Sequence, residues 1–479
     1  MHSHTQILVI GGGPAGSTAS ALLAREGFDV TLLERDVFPR YHIGESLLPS
    51  CLEILDLLGA REKVEAHGFQ KKHGGYFAWG TEEWDLDFTK LRHPYSFQVV
   101  RSEFDQLLLE HAKSLGVKVF EGVEIKEIAF DGERPVSASW SRAVGESEAG
   151  EISFDFLIDA SGRAGILATH YFKTRRYNTS FQNVGIWGYW KGAKQLERAS
   201  EGAIAVGSVP EGWLWGIPLH NGTMSIGLVT HKTHFKEQRQ QGITLEQIYM
   251  NAINDCPLIQ ELIEEGELVT KVSAEQDYSY LSDILSGPGY FIAGDAACFI
   301  DPLLSTGVHL ATFSGMLAAA SLSSVLRNEV TPEEARTFYA QSYRHSYLRL
   351  VVIVSGLYQQ YNGKASYFWE AQQLSHHDYA NSPDLSEAFL HVVTGMEDLL
   401  DAEEVTSETP EPDENEKGLD KHAGALTSSQ QTDEAVRARS QLYNKVFMRF
   451  SLSPETAIDG LYIKTAPQLG LERVKQYAV

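Results

Sequence analysis

At 479 residues, with 43% hydrophobic and 10% aromatic content, the chain is long enough for two or three domains or subdomains around a substantial core. A formal net charge of −24 argues against nucleic acid or anionic lipid as the main partner, because both call for clustered Lys and Arg. Cys51, Cys256 and Cys298 form no CxxC pair and are odd in number, so neither a disulfide framework nor a zinc site is suggested.

The opening MHSHTQ runs straight into a strand without a signal-peptide pattern. The apolar run 350-LVVIVSGLY-358 is far short of the ~20 residues of a spanning helix, so a cytoplasmic location is expected. Residues 6–35 read as strand, glycine turn, helix, strand. The run QILVI is continuously apolar, as a buried parallel strand is, and Gly11, Gly13 and Gly16 follow it as GxGxxG. Gly11 permits a tight turn, Gly13 lets the backbone approach a pyrophosphate, and Gly16 allows close helix–strand packing; Ala15 belongs to the same turn. The helix N-terminus then faces phosphate, and Glu34, closing the second strand about 20 residues on, can accept from a ribose hydroxyl.

Further along, 97-FQVVRSEFDQLLLEHA-112 is a helix opened by Arg101, and 155-DFLIDASGR-163 is an apolar strand stopping at Asp-Ala-Ser-Gly. Polar and apolar residues alternate in runs such as 183-NVGIWGYW-190 and 223-TMSIGLVT-230, as in antiparallel strands. In 211-EGWLWGIPLHNG-222, Trp213 and Trp215 share one face of a strand that Pro218 ends, making either an aromatic core or a wall between two compartments. The stretch 289–322 is an apolar strand, then Gly294-Asp295, a loop, and an Ala-rich helix starting near Gly307. An Asp at such a strand end can hold ribityl hydroxyls of a flavin, or it can cap the next turn. Residues 331-TPEE-334 are a capping box with Pro at N1, opening a long helix. From Glu397 to Glu416 there are ten acids and no base, so 405–430 reads as a disordered linker or mobile loop, followed by a helix near 432–450.

The GD and DG segments resemble those of FAD-dependent monooxygenases of the p-hydroxybenzoate hydroxylase fold, over roughly residues 5 to 325. On that scaffold, WxWxIP at 213–218, FxxKxG at 69–74 and STG at 305–307 resemble the FADH2-dependent halogenases, as does 38-FPRYHIGESLLPS-50. The resemblance implies an α/β fold: a Rossmann-like FAD-binding domain interleaved with an antiparallel substrate-side sheet, plus a mainly helical C-terminal region. The module spans 1–330, with FAD-binding parts about 1–55, 97–165 and 286–330 and the sheet about 56–96 and 166–285; the C-terminal region is 331–479.

It further implies that FAD, used as FADH2, meets O2 and chloride or bromide, and that the flavin hydroperoxide yields hypochlorous acid. Gly11, Gly13, Ala15, Gly16, Glu34, Arg101 and Asp295 are the implied FAD-binding set. Backbone N–H groups of Thr306 and Gly307 at a helix N-terminus are the implied halide donors. Lys72 is the implied catalytic lysine, with Lys71 its competitor in register; burial would lower its pKa and raise the reactive neutral fraction. Trp213 and Trp215 would divide flavin from substrate pocket. Leu304 stands where enzymes acting on free tryptophan typically carry Glu, which points to a phenolic or pyrrolic ring, many relatives of that kind acting on acyl groups tethered to a carrier protein. A separate NAD(P)H-dependent flavin reductase is the implied partner. An aromatic hydroxylase of the same fold is the alternative. A catalytic base is not named by the sequence; His73 and His309 are near only in sequence.

Overall fold

A computed structural model describes residues 3–89, 93–142, 148–359, 454 and 457–474. The buried strand His4–Ile10 lies at the centre of an eight-stranded sheet, in parallel register with Ala149–Asp159 on one side and Val30–Glu34 on the other. Tyr290–Ile292 and Lys118–Glu121 extend the parallel order outward. The carboxyl ends of these neighbours carry the glycine turn, Glu34, Asp159 and Gly294-Asp295. In an open parallel sheet this edge is where ligands bind. Helix Pro14–Arg25 crosses helix Gly307–Leu326 with little space between them, since a Cβ on Gly315 would lie 2.5 Å from the Ala15 carbonyl oxygen. Helix Gly307–Leu326 is long and apolar enough to cross a membrane, yet here it is the buried core helix.

A nine-stranded, mostly antiparallel sheet stands beside the first. Alternation divides its side chains between two cores. Leu214, Ile226 and Leu228 face a cluster closed by helices Leu245–Asn254 and Pro257–Leu262, while Trp187, Trp213 and Trp215 face the core shared with the parallel sheet. Strand Gly212–Pro218 pairs Trp215 with Gly227 on its neighbour, and the indole covers that glycine so closely that a Cβ would fall 2.1 Å from the ring. Thus the wall strand is locked in register by an aromatic side chain filling a glycine gap.

A two-stranded ribbon, Gln70–Lys72 against Ser96–Gln98, bridges the two sheets and pairs Lys72 with Ser96. Thr331 and Glu334 form the capping box: Thr331 N donates to Glu334 Oε2 at 2.9 Å and Glu334 N to Thr331 Oγ1 at 3.2 Å, opening helix Pro332–Gln359. A hairpin not foreseen in the sequence, Leu461–Lys464 with Gly470–Arg473, docks on the core helix through Leu471 N to Ser324 Oγ at 2.8 Å and on the end of helix Pro14–Arg25 through Leu469 N to Glu26 Oε1 at 3.0 Å. The acidic segment 405–430 and the helix expected near 432–450 lie outside the described residues.

The ribbon is sensitive to one neighbour. Gly202 has φ of +65°, and a Cβ there would fall 1.8 Å from the Lys71 carbonyl oxygen, whereas Gly222, at φ +78°, faces open space. Gly222→Ala should therefore cost only the left-handed backbone penalty, about 1–2 kcal/mol. Gly202→Ala should cost at least about 3 kcal/mol, because a backbone strand must also move. Equal losses in chemical denaturation would show that the ribbon is not held at this point.

Candidate active site

The ribbon delivers its two lysines to opposite environments. Lys71 is exposed, with Nζ 4.2 Å from the centre of the Tyr95 ring. Lys72 is 2% exposed; its Nζ donates to Ser46 Oγ at 2.8 Å and to the Leu47 carbonyl at 3.1 Å, above the Phe88 ring at 5.4 Å. No carboxylate pairs with it among the described residues. An ammonium carries three donors but meets two acceptors, whereas a neutral amine carries two N–H groups and a lone pair. Burial pushes the Lys72 amine down to about 7, so both forms exist at neutral pH. The strand is pinned where it begins: His67 stacks on Phe69 at 4.2 Å, and Glu103 lies 2.6 Å from His67 Nε2 and 3.2 Å from His220 Nε2.

At the sheet edge, Gly11 has φ of +103°, and a Cβ there would meet the Ala160 carbonyl at 2.2 Å; on Gly16 it would meet the Gly11 carbonyl at 1.9 Å. Gly13 is the N-cap of helix Pro14–Arg25, with no side chain capping it. Arg40 reaches this point, with Nη2 3.3 Å from where a Gly13 Cβ would sit. Its Nη1 lies 3.1 Å from Asp105 Oδ2 and is buried without a completed hydrogen bond. A cation with a spare N–H beside an open helix N-terminus fits a pyrophosphate. Arg40 is not singled out by the sequence motifs.

Glu34 Oε2 accepts from Gly12 N at 2.6 Å and Oε1 from Asp36 N at 2.8 Å, leaving each oxygen a further lone pair for a ribose hydroxyl. Ala15 packs against Gly294, where a Cβ would come within 2.9 Å of its own. The Asp295 carboxylate accepts no hydrogen bond from the described residues, and burial raises its pKa against the opposing pull of Arg163, Arg101 and Arg175. Asp295 does not cap the following turn; that task falls to Asp301, which accepts from Leu303 N at 2.9 Å. Arg101 is committed elsewhere: its guanidinium forks onto Asp105 at 2.8 and 3.1 Å and its Nη1 donates to the carbonyls of Ile43 and Gly44. It therefore anchors the 38–50 segment, the structural alternative to direct cofactor contact. The glycine cradle, Arg40 Nη1 and the open Asp295 carboxylate together fit FAD.

Helix Gly307–Leu326 begins at the turn 305–307. Ser305 is left-handed at φ +59°, Thr306 is the N-cap, and a Cβ on Gly307 would meet nothing within 4 Å. Neither the Thr306 nor the Gly307 N–H donates to a backbone carbonyl among the described residues, so both remain for an anion. The tryptophans share a face, with ring centres 6.1 Å apart. Trp213 Nε1 donates to Tyr358 OH at 2.8 Å, and Tyr358 OH donates to Asp301 Oδ2 at 3.1 Å. This strut ties the wall to the halide-type turn through helix Pro332–Gln359, a link of long sequence separation that motif spacing does not reveal. His309, one histidine near in sequence, is buried against Ser50 Oγ at 3.0 Å and pushed down to about 4 by burial. It is thus neutral and a weak base at pH 7.

Together, the parallel sheet with its glycine turn and the antiparallel sheet with a buried amine beside it define a flavoenzyme of the FAD-dependent monooxygenase type. Residues 4–347 match the family model for the FAD binding domain. The chain is 47% identical to the tryptophan 2-halogenase of Chondromyces crocatus, over 98% of this chain and 94% of that one. It is 42% identical to the flavin-dependent halogenase armH3 of Armillaria mellea, covering 77% of each chain. The structure of the myxobacterial chondrochloren halogenase CndH is similar with a TM-score of 0.73 at 32% identity, over 82% of this chain and 90% of that one. The chain belongs to the flavin-dependent halogenases: an oxidoreductase that uses FAD, with halide and O2 as co-substrates. Enzymes of this family generally need a separate flavin reductase.

Burying Lys72 opposes stability with a definite sign. The unfolded chain keeps its proton up to the ordinary lysine value, while the folded chain loses it near 7. Folding therefore releases a proton between these values, and wild-type stability should rise with pH across that window by about 1.4 kcal/mol per pH unit from this group. Lys72→Met removes the contribution. It should be more stable than wild type at pH 7, by on the order of 4–5 kcal/mol, with the gap narrowing steadily to pH 9 in parallel denaturation curves. A gap that does not change with pH would mean that Lys72 folds fully charged.

Proposed function

We propose that the enzyme chlorinates an activated phenolic or pyrrolic ring carried as an acyl group on a carrier protein, with Lys72 as the catalytic amine. The observation that carries the lysine assignment is its 2% exposure beside two acceptors and no anion. When bound, reduced FAD with O2 supplies the oxidising equivalent that turns chloride into hypochlorous acid. Gly11, Gly13, Ala15, Gly16, Glu34 and Asp295 hold FAD in this reading, with Arg40 added, and Arg101 supports the segment that covers it. Thr306 and Gly307 N–H groups hold the halide at the positive end of the core helix.

Trp213 and Trp215 separate flavin from ring, so that oxygen is not transferred directly. Lys72 then fixes the chlorine: its amine donates hydrogen bonds to hypochlorous acid, or its lone pair takes the chlorine to give a chloramine and water. A phenol polarised toward phenolate attacks that chlorine ortho to its oxygen. The 1–330 module, with its FAD-binding parts and sheet, carries these steps, and helix Pro332–Gln359 braces it through Tyr358.

The substrate class rests on Leu304, buried at the position before the Ser305 turn, where no carboxylate is available to grip a free amino acid. The near full-length similarity to a tryptophan 2-halogenase favours a second reading, an indole. Product mass spectrometry with a flavin reductase, chloride and three acceptors separates them. A carrier-bound phenol should gain chlorine with a higher kcat/KM than the same phenol free, and free tryptophan should be poor. Lys72→Ala should abolish chlorination while leaving flavin reoxidation intact, and Lys71→Ala should stay within about threefold of wild type. Preferred chlorination of tryptophan would establish the indole reading. Chlorination surviving Lys72→Ala but lost in Lys71→Ala would overturn the lysine assignment.

A further inference from the structure

We propose that Glu45, Tyr189 and Tyr41 form a proton relay from bulk solvent to the interior face of the tryptophan wall, with Glu45 as its inner station. Residues 45–47 run antiparallel to 97–99, held by Val99 N to the Glu45 carbonyl at 2.7 Å and Leu47 N to the Phe97 carbonyl at 2.9 Å. Successive side chains of an extended segment point apart. Ser46 turns to Lys72, and Glu45 turns to the large sheet.

Glu45 is 2% exposed, and its Oε1 accepts from Tyr189 OH at 2.7 Å. Tyr189 OH is 2.9 Å from Tyr41 OH, and Tyr41 is 58% exposed. Trp187 Nε1 donates to Tyr41 OH at 2.5 Å. Tyr189 has one hydroxyl hydrogen and gives it to Glu45, so Tyr41 is the donor to Tyr189. Every bond of the chain therefore points inward from solvent. At the inner end, Glu45 Oε2 is buried, and the Ser225 hydroxyl is the group that acts on the carboxyl there as a hydrogen-bond donor. The Ser225 hydroxyl, which receives Trp215 Nε1 at 3.3 Å, lies beside the carboxyl.

A carboxyl held at this depth by hydroxyl donors, with no cation paired to it, is costly unless it serves a purpose. The groups acting on Glu45 are Tyr189 and Ser225 of the sheet and Arg101 of helix Arg101–Ser114, the last neutralised by Asp105. Burial prevails and pushes the carboxyl up to about 7, so it is both held and released at neutral pH. Burial raises the phenols of Tyr189 and Tyr41, which therefore pass a proton without storing a charge.

The reaction gives the relay a task. One reduced FAD, one O2, one chloride, one proton and one aromatic C–H give oxidised FAD, the C–Cl product and two waters. One proton is thus taken up per turnover. In the proposed step the Glu45 carboxyl releases its proton inward to the oxygen that leaves as water, its Oε1 takes the proton of Tyr189, Tyr189 takes that of Tyr41, and Tyr41 takes one from water. Phenylalanine at either tyrosine keeps the ring and breaks the chain. This inference rests on the halogenase reaction but not on the identity of the ring.

Two measurements test it. Infrared difference spectra of the oxidised FAD-loaded enzyme between pH 6 and pH 8 should contain a protonated-carboxyl band that is absent in Glu45→Gln; no flavin turnover is involved. After rapid mixing of reduced, chloride-loaded enzyme with O2, an indicator dye should report proton uptake at least about tenfold slower in Tyr41→Phe and Tyr189→Phe than in wild type, with KM for the ring unchanged. Uptake in Tyr41→Phe at the wild-type rate, or an identical infrared difference in Glu45→Gln, would overturn the relay. Absence of chlorinated product in wild type would refute the reaction itself, while leaving the infrared result to judge Glu45 separately.

Discussion

An amine placed in the interior with two acceptors and no counter-ion is the constraint around which the rest is arranged. Taking a lone cation out of water is unfavourable unless it sheds its proton. Lys72 can be held this way only because its strand is fixed on both sides: it pairs with Ser96–Gln98, and the Lys71 carbonyl lies against Gly202. The stability given up there is what leaves the amine a lone pair near pH 7.

The surrounding parts are coupled to this point through a few long-range hydrogen bonds. Ser46 and Leu47 tie the lysine to the segment that also carries Arg40 and Glu45. Arg101 secures that segment through the carbonyls of Ile43 and Gly44, and its own charge is balanced by Asp105. Across the core, the Trp213–Tyr358–Asp301 strut joins the wall to the turn that opens the core helix. The glycine turn, the 305–307 turn and Lys72 are therefore positioned by one connected framework, although they come from stretches hundreds of residues apart.

Much of this was legible in the sequence wherever the signal is local. The GxGxxG turn is one case, because a positive φ at Gly11 and the closeness of Gly16 to the Gly11 carbonyl are imposed within a few residues. The shared face of Trp213 and Trp215 follows from strand alternation, and the 331–334 capping box from its own four residues. The acceptors of Lys72 were not legible, since Ser46 lies 26 residues away and only the tertiary fold brings it near. Asp301, Tyr358 and Arg40 escaped for the same reason. The motif places Arg101 at the opening of its helix but does not reveal that its guanidinium also pairs with Asp105 and the carbonyls of Ile43 and Gly44, since those contacts are set by the tertiary fold. The C-terminal hairpin has only a weak local signal, the alternation of 461-LYIK-464 and a glycine at 470, and its place is set by docking to Ser324 and Glu26.

The state of the Lys72 amine tests the account most directly. Nuclear magnetic resonance of the FAD-loaded enzyme with isotopically labelled lysine side chains, assigned by the loss of one signal in Lys72→Met, follows the titration at the site itself. The account predicts a midpoint for Lys72 at about 7. A midpoint at about 10, the ordinary lysine range, would contradict it, because the buried amine would then be charged throughout the neutral pH range.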